Sequence, residues 1–253
     1  MGKVLVLVGV TAASVALVST ALANHSWGSY HWARKSNPLV LNVGDNVGDK
    51  WDAYLTEAIT DWSASSVLEL MKVPGGTRPK NCRATSGRIE ACNARYGNTG
   101  WLGIAQIWAS GSHIAQAITK VNDTYFDTAS YNTPAWRRLV MCQEIAHDFG
   151  LGHQNESFSA PNLGSCMDYT NDPDGGGAFG PSNEHPNTHD FAQLELIYGH
   201  VDSTSTVASG PAALPGNAPP FSQASRANGD LYVDDLGNGV RRITHVFWTP
   251  FGE

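Results

Sequence analysis

The sequence predicts an α+β domain over residues 24–201, then a linker at 202–223 and a C-terminal β-hairpin at 224–253. Three observations point there. Trp51, Tyr54, Leu55, Ala58, Ile59 and Trp62 fall on one face at helical spacing. A second helix is bracketed by Thr133-Pro134 and Gly150, residues suited to capping, opening and stopping a helix. Around these helices lie alternating apolar and polar stretches of strand type, arranged in blocks rather than one per helix.

In chain order, "HSWGSYHWARK" (25–35) alternates aromatic with small or polar residues and reads as a strand. "PLVLNVGD" (38–45) reads as a second extended segment. The first helix follows, with Asp49 placed to cap it. "SVLELMKV" (66–73) reads as a strand, and 74–100 as loop with a short strand around Ile89. "WLGIAQIWAS" and "HIAQAITKVND" form a hairpin through Gly111-Ser112. The second helix runs from Pro134 to Gly150, and a loop rich in Gly, Asn, Asp and Pro reaches 187. "HDFAQLELIYGH" (189–200) is the last helix. Ser, Ala, Gly and Pro dominate the linker. The final hairpin turns at Gly237-Asn238-Gly239 and is too small to be stable alone, so it is expected to pack back on the domain.

The N-terminal apolar run after Lys3 ends in Ala21-Leu22-Ala23, a small-x-small pattern. Residues 1–23 therefore read as a secretory signal peptide, and the mature protein is expected outside the cell. No other apolar run is long enough to span a bilayer, so no membrane association is expected after cleavage. The net charge is −7, or −8 without Lys3, and no basic stripe is present, which argues against a nucleic-acid partner. Four cysteines, Cys82, Cys92, Cys142 and Cys166, suit an oxidising compartment and two disulfides in one of three pairings. Cys82 and Cys92 share one loop segment and are easily joined.

The chemistry concentrates in "CQEIAHDFGLGHQNE" (142–156). Gln143 and His147 are four residues apart and share a helix face. Glu144 lies one residue round and can reach a water held between them. Gly150 turns the chain so that His153 can return to the same point. This makes Gln143, His147 and His153 candidate metal ligands in a site with an open position. A metal there would acidify a water, and Glu144 would take its proton as general base. Glutamine offers a neutral amide oxygen, whereas zinc favours nitrogen and sulfur, so weaker metal retention is expected. His185, His189 and His200 could substitute for the missing histidine, although each reads more readily as a solvent-exposed residue near a helix end.

With "SCMDY" (165–169) added, the chain resembles the metzincin clan of zinc endopeptidases, which includes matrixins and astacins. The clan carries H-E-x-x-H-x-x-G-x-x-H followed by a methionine turn, and Gln143 stands where its first histidine would be. The resemblance implies a zincin-like fold, with a twisted mixed sheet and an active-site helix. It implies Zn2+ as cofactor, Met167 as the methionine turn, and Tyr169 as a further zinc ligand or a transition-state donor. It places the methionine turn beneath the helix, which implies a Cys142–Cys166 bridge. It also implies that "GIAQIWA" is the edge strand against which a peptide substrate lies. The expected function is a secreted zinc endopeptidase, a monomer acting on peptides or proteins. The alternative is an inactive protein of the same shape that holds peptides in its cleft.

Overall fold

The computed structural model describes residues 24–177, 180–207 and 229–250. Residues 1–23, read as a signal peptide, and 208–228, which hold most of the expected linker and the start of the expected hairpin extension, lie outside the described residues. Among the described residues no helix is long and apolar enough to cross a membrane.

The elements are β1 (His31–Trp32), β2 (Leu39–Asn46), α1 (Asp49–Trp62), β3 (Leu68–Pro74), β4 (Ile89–Ala94), β5 (Trp101–Ser110), β6 (His113–Asn122), α2 (Asp123–Phe126), α3 (Pro134–His147), α4 (Thr188–Ile197), β7 (Leu231–Gly237) and β8 (Val240–Trp248). This is the α+β class read from the sequence. One mixed sheet runs β3-β2-β4-β6-β5-β8-β7, with β1 also paired to β6. The strands β3, β2, β4 and β6 are parallel, and β5, β8 and β7 follow antiparallel. Helix α1 packs on β3, α3 packs on β5 and β6, and the two helices touch each other. Trp62 anchors this layer, donating its indole N–H to the Cys142 carbonyl at 3.0 Å.

Several segments differ from their sequence reading. Of 25–35, only His31–Trp32 is strand. Gly28 takes a left-handed φ of 52° and Tyr30 N–H returns to the Trp27 carbonyl, so the chain turns where alternation suggested extension. Asp49 is the first residue of α1 rather than its cap, which is Gly48. There its charge, with that of Asp52, still faces the positive end of the helix dipole. Helix α4 begins at Thr188 and is closed by a capping box between Asn187 and Asp190. The short α2, capped by Asn122, carried no periodic signal.

The largest difference concerns β5. It is not an edge strand, because β8 pairs along it from Ser110↔Val240 to Trp101↔Trp248. Alternation places Ile243, His245 and Phe247 on one face of β8, and Ile243 and Phe247 enter the main core. On the other face Val246 and Trp248 cluster with Trp101 and Ile104. The hairpin is thus built into the sheet on both sides. Its turn uses Asn238 and Gly239 at positive φ, the requirement of a tight two-residue hairpin. The disulfides are Cys82–Cys92 and Cys142–Cys166.

Candidate metal centre

Helix α3 delivers the motif. Thr133 caps it through its side chain, Pro134 opens it, and Gly150 ends it with φ at 97°. A Cβ on Gly150 would lie 2.3 Å from the Tyr30 carbonyl oxygen, so this turn requires glycine twice over. Past it, His153 doubles back until its Nε2 stands 3.0 Å from Nε2 of His147.

The third group comes from elsewhere. His245, on β8, puts its ring centroid 4.1 Å from that of His147 and 4.5 Å from that of His153. One ring nitrogen from each of the three lies within 4.8 Å of the others. His147 and His245 are buried, and burial is the main cause that holds both imidazoles well below their usual pKa. Trp27 stacks on His147 at 4.7 Å and closes one side.

The hydrogen bonds fix which nitrogens are bare. His147 Nδ1–H donates to the Leu151 carbonyl at 2.7 Å, leaving Nε2 with its lone pair. His153 Nδ1 faces Glu156 at 3.4 Å, and this hydrogen bond holds the Glu156 carboxyl below its usual range. Two bare Nε2 atoms therefore face each other at 3.0 Å, an arrangement that needs a proton or a cation between them. Tyr169 donates its hydroxyl to Asp230 at 2.6 Å, so its oxygen accepts from His245 Nε2–H at 2.8 Å. That leaves His245 Nδ1 bare, 3.5 Å from a Glu144 oxygen. Three imidazoles whose outward ring nitrogens face oxygen acceptors, Leu151, Glu156 and Tyr169, are a donor set that fits zinc.

Glu144 is fully buried beside this group, and its Oε1 has no hydrogen-bond partner among the described residues. Burial, followed by the charges of Asp148 and Asp230, raises its carboxyl well above the ordinary value. Its side chain lies across β5 at Gly103, where a Cβ would come within 2.6 Å of Oε1.

The other residues singled out from the sequence fall as follows. Gln143 turns toward the segment that holds Cys166 and Met167. Its amide N–H donates to the Cys166 carbonyl at 2.6 Å, and its Oε1 is buried with no hydrogen-bond partner among the described residues. Met167 is buried in the core, and the turn is held by Ser165, whose hydroxyl donates to Asp190 of α4 at 2.6 Å. His185 pairs with Asp61 and His189 stacks on His25, while His200 belongs to a separate cluster. His245 was missed by the sequence reading. The available signal was a lone histidine on the apolar face of "VRRITHVFW", in a chain whose motif is one histidine short.

A cleft of about 290 Å³ opens onto the group between residues 24–30 and the hairpin, lined by Trp27, His153, Glu156, Asp230 and His245.

No protein-family model matches this chain, and no curated protein matches it. Solved structures do. One is high choriolytic enzyme 1, a hatching-enzyme zinc protease from Oryzias latipes (medaka fish), at 12% identity and a TM-score of 0.38, covering 70% of this chain and 98% of that one. Another is myroilysin, at 12% identity and a TM-score of 0.40, covering 70% of this chain and 99% of that one.

Proposed function

We propose that this chain is a secreted zinc endopeptidase whose metal is held by His147, His153 and His245, with Glu144 as general base. The convergence of a third imidazole from β8 on the two motif histidines carries this reading. In it, His245 takes the place of the histidine missing at position 143. Gln143 has a structural part instead, fastening α3 to the methionine turn alongside the Cys142–Cys166 bridge.

Zinc held there supplies Lewis acidity, polarising a scissile carbonyl and acidifying water. The chain's own residues do the rest. Glu144 receives the water's proton on a carboxylate whose burial favours the protonated form, then returns it to the leaving amine. Asp230 and Tyr169 hold the His245 tautomer through Nε2–H. Trp27 keeps bulk water from one face of His147. Because β8 covers β5, an extended substrate must use another edge. Among the described residues β7 has no strand on its outer side, and its exposed Leu231 and Val233 line the cleft. A peptide laid along β7 would reach the metal through that cleft.

The test uses the protein without its signal peptide. It should retain zinc and cleave casein or a peptide library. Glu144→Ala should lose roughly 10²–10⁴-fold in turnover while keeping its zinc, the usual span for removing a general base. A folded protein that takes up no zinc at micromolar concentration and cleaves nothing would establish a non-catalytic peptide binder instead.

A further inference from the structure

A second histidine cluster lies outside the centre described above. His31 and His113 are register partners on the parallel pair β1 and β6, and His200 and Asp202 follow α4. Asp202 is fixed by Arg34, whose backbone N–H and Nη1 both donate to Oδ2, at 3.1 and 3.2 Å. Its other oxygen, Oδ1, faces three imidazoles. It is 3.4 Å from His31 Nε2, 3.4 Å from His113 Nε2 and 3.7 Å from His200 Nε2. His31 and His200 present their Nε2 atoms to each other at 3.3 Å.

The tautomer of His31 is set by its surroundings. Its Nδ1–H donates to the Ser29 carbonyl at 2.8 Å, so Nε2 carries a lone pair. A lone pair aimed at a carboxylate oxygen and at another imidazole is repulsive unless a proton or a cation lies between them. The separations of 3.3, 3.4 and 3.4 Å suit a cation, and the His200–Asp202 separation of 3.7 Å is slightly longer. A tetrahedral ion with zinc–nitrogen bonds of about 2.0–2.1 Å has ligand–ligand edges of roughly 3.3–3.4 Å. His31, His113 and Asp202 each offer one ligand atom within 4.8 Å of the others, and His200 Nε2, 3.3 Å from His31 Nε2 and 3.7 Å from Asp202 Oδ1, stands beside them as a fourth donor of the kind that completes a structural site. The His31 and Asp202 side chains are 9% and 10% exposed, while those of His113 and His200 are 36% and 52% exposed. The inner pair is therefore preset and the outer pair gives an ion entry from solvent.

We propose that His31, His113, His200 and Asp202 form a second, structural zinc site, tying the β1–β6 pair to the segment that leaves α4 toward the hairpin. This proposal is independent of the catalytic reading.

The experiment is native mass spectrometry of the chelator-stripped protein, without its signal peptide, titrated with zinc. Folding is checked by circular dichroism. The expected uptake is two zinc ions for the wild type, one for His113→Ala/His200→Ala, and one for His147→Ala/His153→Ala. In the last variant, zinc should also raise the melting temperature. The second site is overturned if His113→Ala/His200→Ala takes up as much zinc as the wild type. It is equally overturned if folded His147→Ala/His153→Ala takes up none. Should that variant fail to fold, the comparison of wild type with His113→Ala/His200→Ala decides alone. Failure of the catalytic reading looks different: His147→Ala/His153→Ala would then hold as much zinc as the wild type.

Discussion

Replacing His245 by alanine should weaken zinc binding at the proposed metal centre far more than replacing Gln143. Its ring nitrogen lies within 4.8 Å of those of His147 and His153, and its Nε2–H is already committed to Tyr169. Four-ligand zinc sites in small domains gather roughly 10–16 kcal/mol, or about 2.5–4 kcal/mol per ligand. Loss of one imidazole is then worth roughly 10²–10³-fold in affinity. His245 is 1% exposed, so alanine also leaves a void. His245→Phe keeps the volume and should show the same loss, which separates ligation from packing. Tyr169→Phe leaves His245 Nε2–H without its acceptor and should cost about 10–100-fold. The assay is zinc competition against a chromophoric chelator, run on His113→Ala/His200→Ala so that only one site reports. An affinity within about threefold of the parent for both His245 variants, with a large loss in Gln143→Leu, would refute the assignment.

Three further outcomes follow from the same structure. Gly103→Ala puts a Cβ within 2.6 Å of Glu144 Oε1, so turnover should fall at least tenfold while zinc affinity stays unchanged. Steady-state kinetics beside metal titration would show this, and equal loss of both would count against it. Replacing Cys142 and Cys166 together by serine opens a bridge across a separation of 24 residues. By loop-closure entropy this should cost about 3.5 kcal/mol in denaturant unfolding, and a loss under about 1 kcal/mol would contradict it. His185 is raised above its usual pKa, chiefly by its hydrogen bond to Asp61. Its stabilisation is full below the unfolded value near 6.5 and fades as pH rises through the folded one. With the His185 side chain 43% exposed the effect should stay under about 1 kcal/mol. Asp61→Asn should therefore lower the melting temperature at pH 5.5 and leave it unchanged at pH 8.5.

Local order was legible where a period was long. The stripe from Trp51 to Trp62, the Thr133-Pro134 start and the Gly150 stop gave α1 and α3 close to their observed ends. Short elements were not. Two residues of strand at His31–Trp32 and four of helix at Asp123–Phe126 are too brief to show periodicity. The first is set by a partner far along the chain, β6, and the second by the side-chain cap of Asn122 immediately before it. The motif histidines were legible because one helix and one turn bring them together. His245 was not, since it meets them only through the β5–β8 pairing, which no local pattern encodes. The same holds for the cluster around Asp202, whose members are brought together by β1, β6 and the exit from α4.

The most direct test of the central claim is anomalous diffraction at the zinc edge from crystals of the zinc-loaded protein comprising residues 24–253. The account predicts a peak bonded to His147, His153 and His245, with the Gln143 amide still donating to the Cys166 carbonyl. A zinc ion bonded to Gln143 with His245 turned away, or no ion between the motif histidines, would contradict it.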